Sequence, residues 1–105
     1  MAETSALTEA VYYILLALLQ PLHGYGIMQK VEAMSGGRVR LAAGTLYGAL
    51  NTLCSKGWIE ELPAPDGSRK KEYRITPAGR AVAQAELQRL QELAANGAAL
   101  LGGAQ

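Results

Sequence analysis

Residues 43–62 read AGTLYGALNTLCSKGWIEEL. Leu46, Leu50 and Leu53 recur at intervals of four and three, one stripe of a helix, so the segment predicts a helix over about 42–56 closed by Gly57 in a left-handed terminal position. Off that stripe stand Thr45, Tyr47, Asn51 and Thr52, where a solvated helix ordinarily carries Lys and Glu. No acidic residue occurs between Glu32 and Glu60. An outer face so short of carboxylates suits contact with a polyanion, because phosphates repel carboxylates and base edges are approached by small or hydrogen-bonding side chains.

Working outward, the periodicity changes after Gly57. WIEELP (58–63) and KEYRIT (71–76) are short β-type runs, and the APDGSR between them is turn chemistry for a hairpin. On the other side, RVRL at 38–41 alternates basic and apolar residues, the period of a short half-buried strand. A helix over about 24–35 precedes it, stopped by Gly36-Gly37, with Ile27, Val31 and Met34 inward. The first helix starts near Ser5 to Thr8, places Val11, Ile14, Leu15, Leu18 and Leu19 on one face, and ends before Pro21. After the hairpin, Thr76 caps a last helix with Pro77 in its first turn. Ala83, Leu87, Leu90, Ala94, Gly97 and Leu101 then form a seam for another helix, with Gly97 and the terminal GGAQ favouring a frayed end.

The expected architecture is mainly α with a small β-hairpin wing (α+β): a winged helix-turn-helix of order α-α-β-α-β-β plus a C-terminal dimerisation helix. Its divisions are 5–76 for the DNA-binding domain, 77–101 for the dimerisation helix and 102–105 for a disordered tail. In such a fold the third helix enters the major groove and the hairpin lies along the adjacent backbone.

Bulk properties agree without specifying a partner. The chain has 105 residues, one domain's worth, and half are apolar. Its longest apolar run, Ala10 to Leu19, is too short for a membrane span, and the expectation is a cytoplasmic protein with no membrane partner. Net charge is only +1, yet residues 38–74 hold Arg38, Arg40, Lys56, Arg69, Lys70, Lys71 and Arg74 against Glu60, Glu61, Asp66 and Glu72. The positive surplus therefore sits in the middle third.

Candidate DNA contacts are Ala43, Gly44, Thr45, Tyr47, Gly48 and Asn51 on the third helix and Arg69, Lys70 and Lys71 on the hairpin. Asn51 has the amide to pair with adenine, and Thr45 or Tyr47 the hydroxyl to hold a phosphate. The plainer alternative is that Tyr47 packs its ring against the hairpin and Asn51 is idle surface. His23 reads as a helix cap rather than a switch, and with one His and one Cys there is no zinc set. Cys54, beside Leu50 and Leu53, reads as a small buried hydrophobe, the rival being a redox thiol. Trp58 fits the core beneath the hairpin. No catalytic constellation or cofactor motif is present, so no enzyme is expected.

HGYGIMQKV at 23–31, GTLYGALNTLCSKGWIEE at 44–61 and KKEYRITPAGR at 71–80 together resemble the PadR family of bacterial transcriptional regulators, in the correct order over about residues 8–80. Length and the single closing helix resemble its short subfamily. The resemblance implies a repressor that binds a pseudo-palindromic operator in double-stranded DNA as a homodimer and is released by a small hydrophobic or aromatic effector. On this chain the effector contacts would be Tyr12, Leu15, Leu87 and Leu90, and the dimer interface Val11, Leu87, Leu90, Leu93, Ala94 and Leu101. Gly48 replaces a common proline, Trp58 a leucine or isoleucine, and Glu72 an aromatic. No aromatic follows Tyr73, which argues against ring-stacking drug capture on the last helix. The rival function is a winged-helix module for protein interaction or ligand sequestration, without sequence-specific DNA binding.

Overall fold

The computed structural model describes residues 6–102. Ser5, the first residue of the expected domain, and residues 103–105 of the expected tail lie outside the described residues. The elements are α1 (Glu9–Ala17), β1 (Leu22–His23), α2 (Gly24–Met34), α3 (Ala43–Ser55), β2 (Ile59–Leu62), β3 (Glu72–Ile75) and α4 (Pro77–Gly97), which runs on into a π turn at Ala98–Gly102.

Three of the four helices start on a side-chain cap. Thr8 accepts from the Val11 N–H, His23 Nδ1 from Gly26 and Thr76 from Gly79, each at 3.1 Å, and each pairs one of the first-turn donors a helix leaves free. Gly57 takes φ 77° behind α3, the left-handed conformation its sequence position implied.

Ile14 and Leu15 of α1 with its cap Leu18, Ile27 and Val31 of α2, and Leu46 and Leu50 of α3 are fully buried against one another. Leu53 at the end of α3, Ile59, Tyr73 and Ile75 of the sheet and Ala83 of α4 close this core. Leu19, expected on the inner face, is exposed: the helix ends at Ala17 with Leu18 as its cap, so residue 19 has left the helical phase.

The sheet corrects the expected position of the first strand. Residues 38–41 form no strand; the third strand is Leu22–His23, antiparallel to β3 with Leu22 opposite Tyr73 and His23 opposite Glu72, in the order β1-β3-β2. The chain order is therefore α-β-α-α-β-β-α. Gly36 and Gly37, at φ 63° and 84°, turn the chain away from the sheet, and the Ser35 hydroxyl locks that turn by accepting from the Val39 N–H at 2.9 Å. Arg38 and Arg40 then reach Glu9 and Glu32, so the alternation there reflects ion pairing over half-buried Val39 and Leu41.

α4 is held only at its beginning. A Cβ at Gly79 would collide with the Trp58 carbonyl, so glycine allows the helix to touch the backbone before β2. Ala83 and Glu86 are its next buried residues. Beyond them the helix leaves the body, and Leu87, Leu90, Leu93, Leu100 and Leu101 are all exposed.

Candidate nucleic-acid interface

Burying Leu46, Leu50 and Leu53 turns Ala43, Gly44, Thr45, Tyr47, Gly48, Asn51 and Thr52 outward, and all seven are exposed. A Cβ added at Gly44 or Gly48 would meet nothing within 4 Å. The subunit's own packing does not demand these glycines, although each weakens a helix by about 0.5–1 kcal/mol relative to alanine. They leave the outer face low enough for another surface to approach the backbone.

Ion pairing narrows the positive surplus of residues 38–74. Arg38 pairs with Glu9, Arg40 with Glu32 at 3.4 Å, Arg74 with Glu60 at 2.7 Å and Lys71 with Glu61 at 3.5 Å. Lys56 sits 4.9 Å from the centre of the half-buried Trp58 ring. Arg69 and Lys70 alone of the seven have neither a carboxylate within bridging distance nor a ring beneath them, among the described residues. Both stand just after the hairpin tip, where Gly67 (φ 76°) makes the turn and the Asp66 carboxylate accepts from the Ser68 N–H at 2.9 Å. That bond holds the Asp66 carboxyl below its ordinary range, so one anion remains among the tip cations.

Between the start of α2, the outer face of α3 and the root of the wing lies a hollow of about 280 Å³. Tyr47 lines it, with His23, Gly24 and Tyr25 on one side and Arg69, Lys70, Lys71 and Tyr73 on the other. Tyr47 therefore faces the wing, close to the packing alternative, and its hydroxyl rests against Gly24, where a Cβ would overlap it. Burial, then Glu61, raises the Tyr73 phenol above its ordinary value, with smaller contributions from Tyr47 and Cys54.

The candidate effector residues are brought together only in part. Tyr12 and Leu90 share a cleft of about 350 Å³ with Leu7, Tyr13, Glu86 and Arg89. Leu15 does not reach it, being fully buried in the core, and Leu87 points elsewhere on the exposed face of α4. Val11 is half-buried against the core, whereas Leu87, Leu90, Leu93, Ala94 and Leu101 form an exposed face. Sequence reading missed Glu86, a buried carboxylate that binds Arg89 at 2.6 and 2.9 Å; the signal was the i, i+3 spacing of the two. The Cys54 thiol is raised by burial, then by Glu61, the opposite of an activated redox thiol. Among the described residues no cluster of His, Cys, Asp and Glu could hold a metal, and no helix is long and apolar enough to cross a membrane.

Comparison with known proteins adds the family. The model of the "Transcriptional regulator PadR-like family" matches residues 14–85. The chain is 37% identical over 86 residues to an uncharacterized 37.1 kDa protein in transposon TN4556 of Streptomyces fradiae, aligning 81% of this chain. It is 36% identical over 74 residues, 70% of this chain, to the transcriptional regulator Rv3488 of Mycobacterium tuberculosis. The aligned part spans 24% of the transposon protein and 66% of Rv3488. Among solved structures, the PadR family transcriptional regulator of Eggerthella lenta superposes with a TM-score of 0.70 at 26% identity, covering 87% of this chain and 76% of that one.

Proposed function

We propose that this chain, which belongs to the PadR-like family of transcriptional regulators, is a repressor that binds double-stranded operator DNA as a homodimer. One observation carries the reading: the exposed face of α3 has no carboxylate and adjoins the two wing cations, Arg69 and Lys70, that make no ion pair among the described residues. α3 enters the major groove with Asn51 toward base edges, and the wing follows the phosphates.

The leucines of α4 support the dimer. Leu87, Leu90 and Leu93 project from the 21 residues of α4, about 30 Å of helix, and Leu101 from the turn that follows, all exposed among the described residues. Pairing these faces would set the two α3 helices at half-sites about one DNA turn apart, hence a pseudo-palindromic operator. The cleft holding Tyr12 and Leu90 lies at the root of the same helix, where a small hydrophobic or aromatic effector would alter the angle of α4 and release the operator.

The deciding experiment is a gel-shift titration against the DNA upstream of the chain's own gene, at two salt concentrations, with a scrambled duplex as control. Tight, salt-sensitive binding that prefers the upstream fragment is expected. Absence of salt-sensitive affinity for any duplex would turn the assignment to a protein-interaction module.

A further inference from the structure

The hollow between α2, Tyr47 and the wing contains a group that the subunit's own packing leaves unused. Tyr73 is only 7% exposed and lines the hollow from β3. Its hydroxyl makes no hydrogen bond among the described residues, and no fully enclosed side-chain polar atom lacks a partner. The hydroxyl is therefore not fully enclosed, and both Tyr73 and Tyr47, which acts on its phenol, line the hollow. Largely withdrawn from water and unpaired, it gains from any acceptor placed there.

The surroundings define that acceptor. Arg69 and Lys70 stand at the rim without carboxylate partners among the described residues, and the first turn of the eleven-residue α2 ends at the same hollow. His23 occupies only the Gly26 N–H of that turn. Donors and positive charge converge from three elements; of the nearby acidic residues, Glu60 and Glu61 are paired with Arg74 and Lys71, and Asp66 and Glu72 do not line the hollow.

We propose that this hollow is a phosphate seat, in which the Tyr73 hydroxyl donates to a phosphate oxygen from the floor while Arg69 and Lys70 supply charge from the rim. A phenol is protonated, and so a donor, throughout the neutral range, and burial of Tyr73 acts in the same direction. A lysine at that depth would have to be desolvated and would repel its neighbours, whereas a phenol brings a donor without a charge. The phosphate has two possible sources: a DNA phosphodiester, in which case the seat rests on the DNA-binding reading above, or free phosphate.

The test uses Tyr73→Phe, which removes one oxygen and keeps the ring, with the folded state verified by its amide spectrum. Binding to a labelled 30-bp scrambled duplex is measured across a salt series. In parallel, the Gly24 and Tyr25 amides are followed during titration with sodium phosphate, against sodium chloride of equal ionic strength. A DNA phosphodiester predicts a roughly tenfold rise in Kd with an unchanged log-log salt slope, because a neutral hydroxyl displaces no counterion. Free phosphate predicts amide shifts that saturate in the parent and vanish in Tyr73→Phe, and either result supports the seat. The proposal is overturned if Tyr73→Phe binds DNA like the parent while the parent amides answer phosphate no differently from chloride, or answer it equally in the variant. Should Arg69→Ala with Lys70→Ala lose DNA where Tyr73→Phe does not, and no phosphate response appear, the seat falls and the DNA reading stands. Should the parent bind no DNA yet show the Tyr73-dependent phosphate response, the DNA reading falls and the seat stands.

Discussion

The Tyr47 hydroxyl lies so close to Gly24 that any side chain on residue 24 would occupy its place. The two residues come from different helices, and their contact joins the outer face of α3 to the beginning of α2. Gly24→Ala is expected to push the Tyr47 ring outward, because the obstructing atoms are the far end of a half-exposed side chain. Stability should fall by no more than about 1–2 kcal/mol, and the loss should largely disappear on a Tyr47→Ala background. Urea titration of the four proteins measures the coupling, and purely additive losses would refute the contact.

Gly79 provides the contrast. A Cβ there strikes the Trp58 carbonyl, a backbone atom that cannot turn aside. Gly79→Ala should destabilise by about 2–3 kcal/mol, more than Gly24→Ala, by displacing the start of α4. Thermal unfolding of the two variants side by side decides the order.

On the open face of α3 the sign reverses. Gly48→Ala meets no neighbour, so it should stabilise the fold by about 0.5–1 kcal/mol. If α3 lies in a groove, the same methyl should weaken operator binding. A variant that melts higher and binds DNA less tightly would show both effects.

The wing cations should not act alike. Arg69→Ala with Lys70→Ala should weaken operator and scrambled DNA together and reduce the log-log salt slope by about one to two. Lys71→Ala should do less, since its ammonium already faces Glu61 at 3.5 Å. A slope change for Lys71→Ala as large as half that of the double variant would mean that the ion pair does not persist in solution.

Acid stability should report Glu86. Its carboxyl is held below the ordinary range, first by the Arg89 hydrogen bond and further by the Leu7 N–H. Such a group contributes stability above its unfolded value of about 4.3, and the contribution is lost as pH falls through the lower folded value. Urea midpoints of Glu86→Gln, compared with the parent between about pH 6 and 3, should therefore converge on the acidic side. A constant offset at every pH would leave the pair without a role in acid unfolding.

The helices were legible because their signals are local: a leucine stripe and a left-handed glycine mark α3, and a hydroxyl cap followed by proline marks α4. RVRL misled because four alternating residues satisfy an ion-paired turn as well as a strand, whereas β1 is two residues long and defined only by its partner β3. The surplus of residues 38–74 could not be apportioned from sequence, since Glu9 and Glu32, which neutralise two of its arginines, lie in the first third of the chain. The resemblance grouped Leu15 with Tyr12, but three positions farther along α1 the side chain has turned from the cleft into the core.

No linker separates β1 from α2: His23 ends the strand and caps the helix, and Gly24 is the next residue. Hydrogen bonding of β1 to β3 thus makes the hairpin and the second helix one lever with a shared fulcrum. If the hairpin bends toward a ligand, the strand pairing would carry the second helix with it, and a duplex that does not match their spacing would be expected to deform.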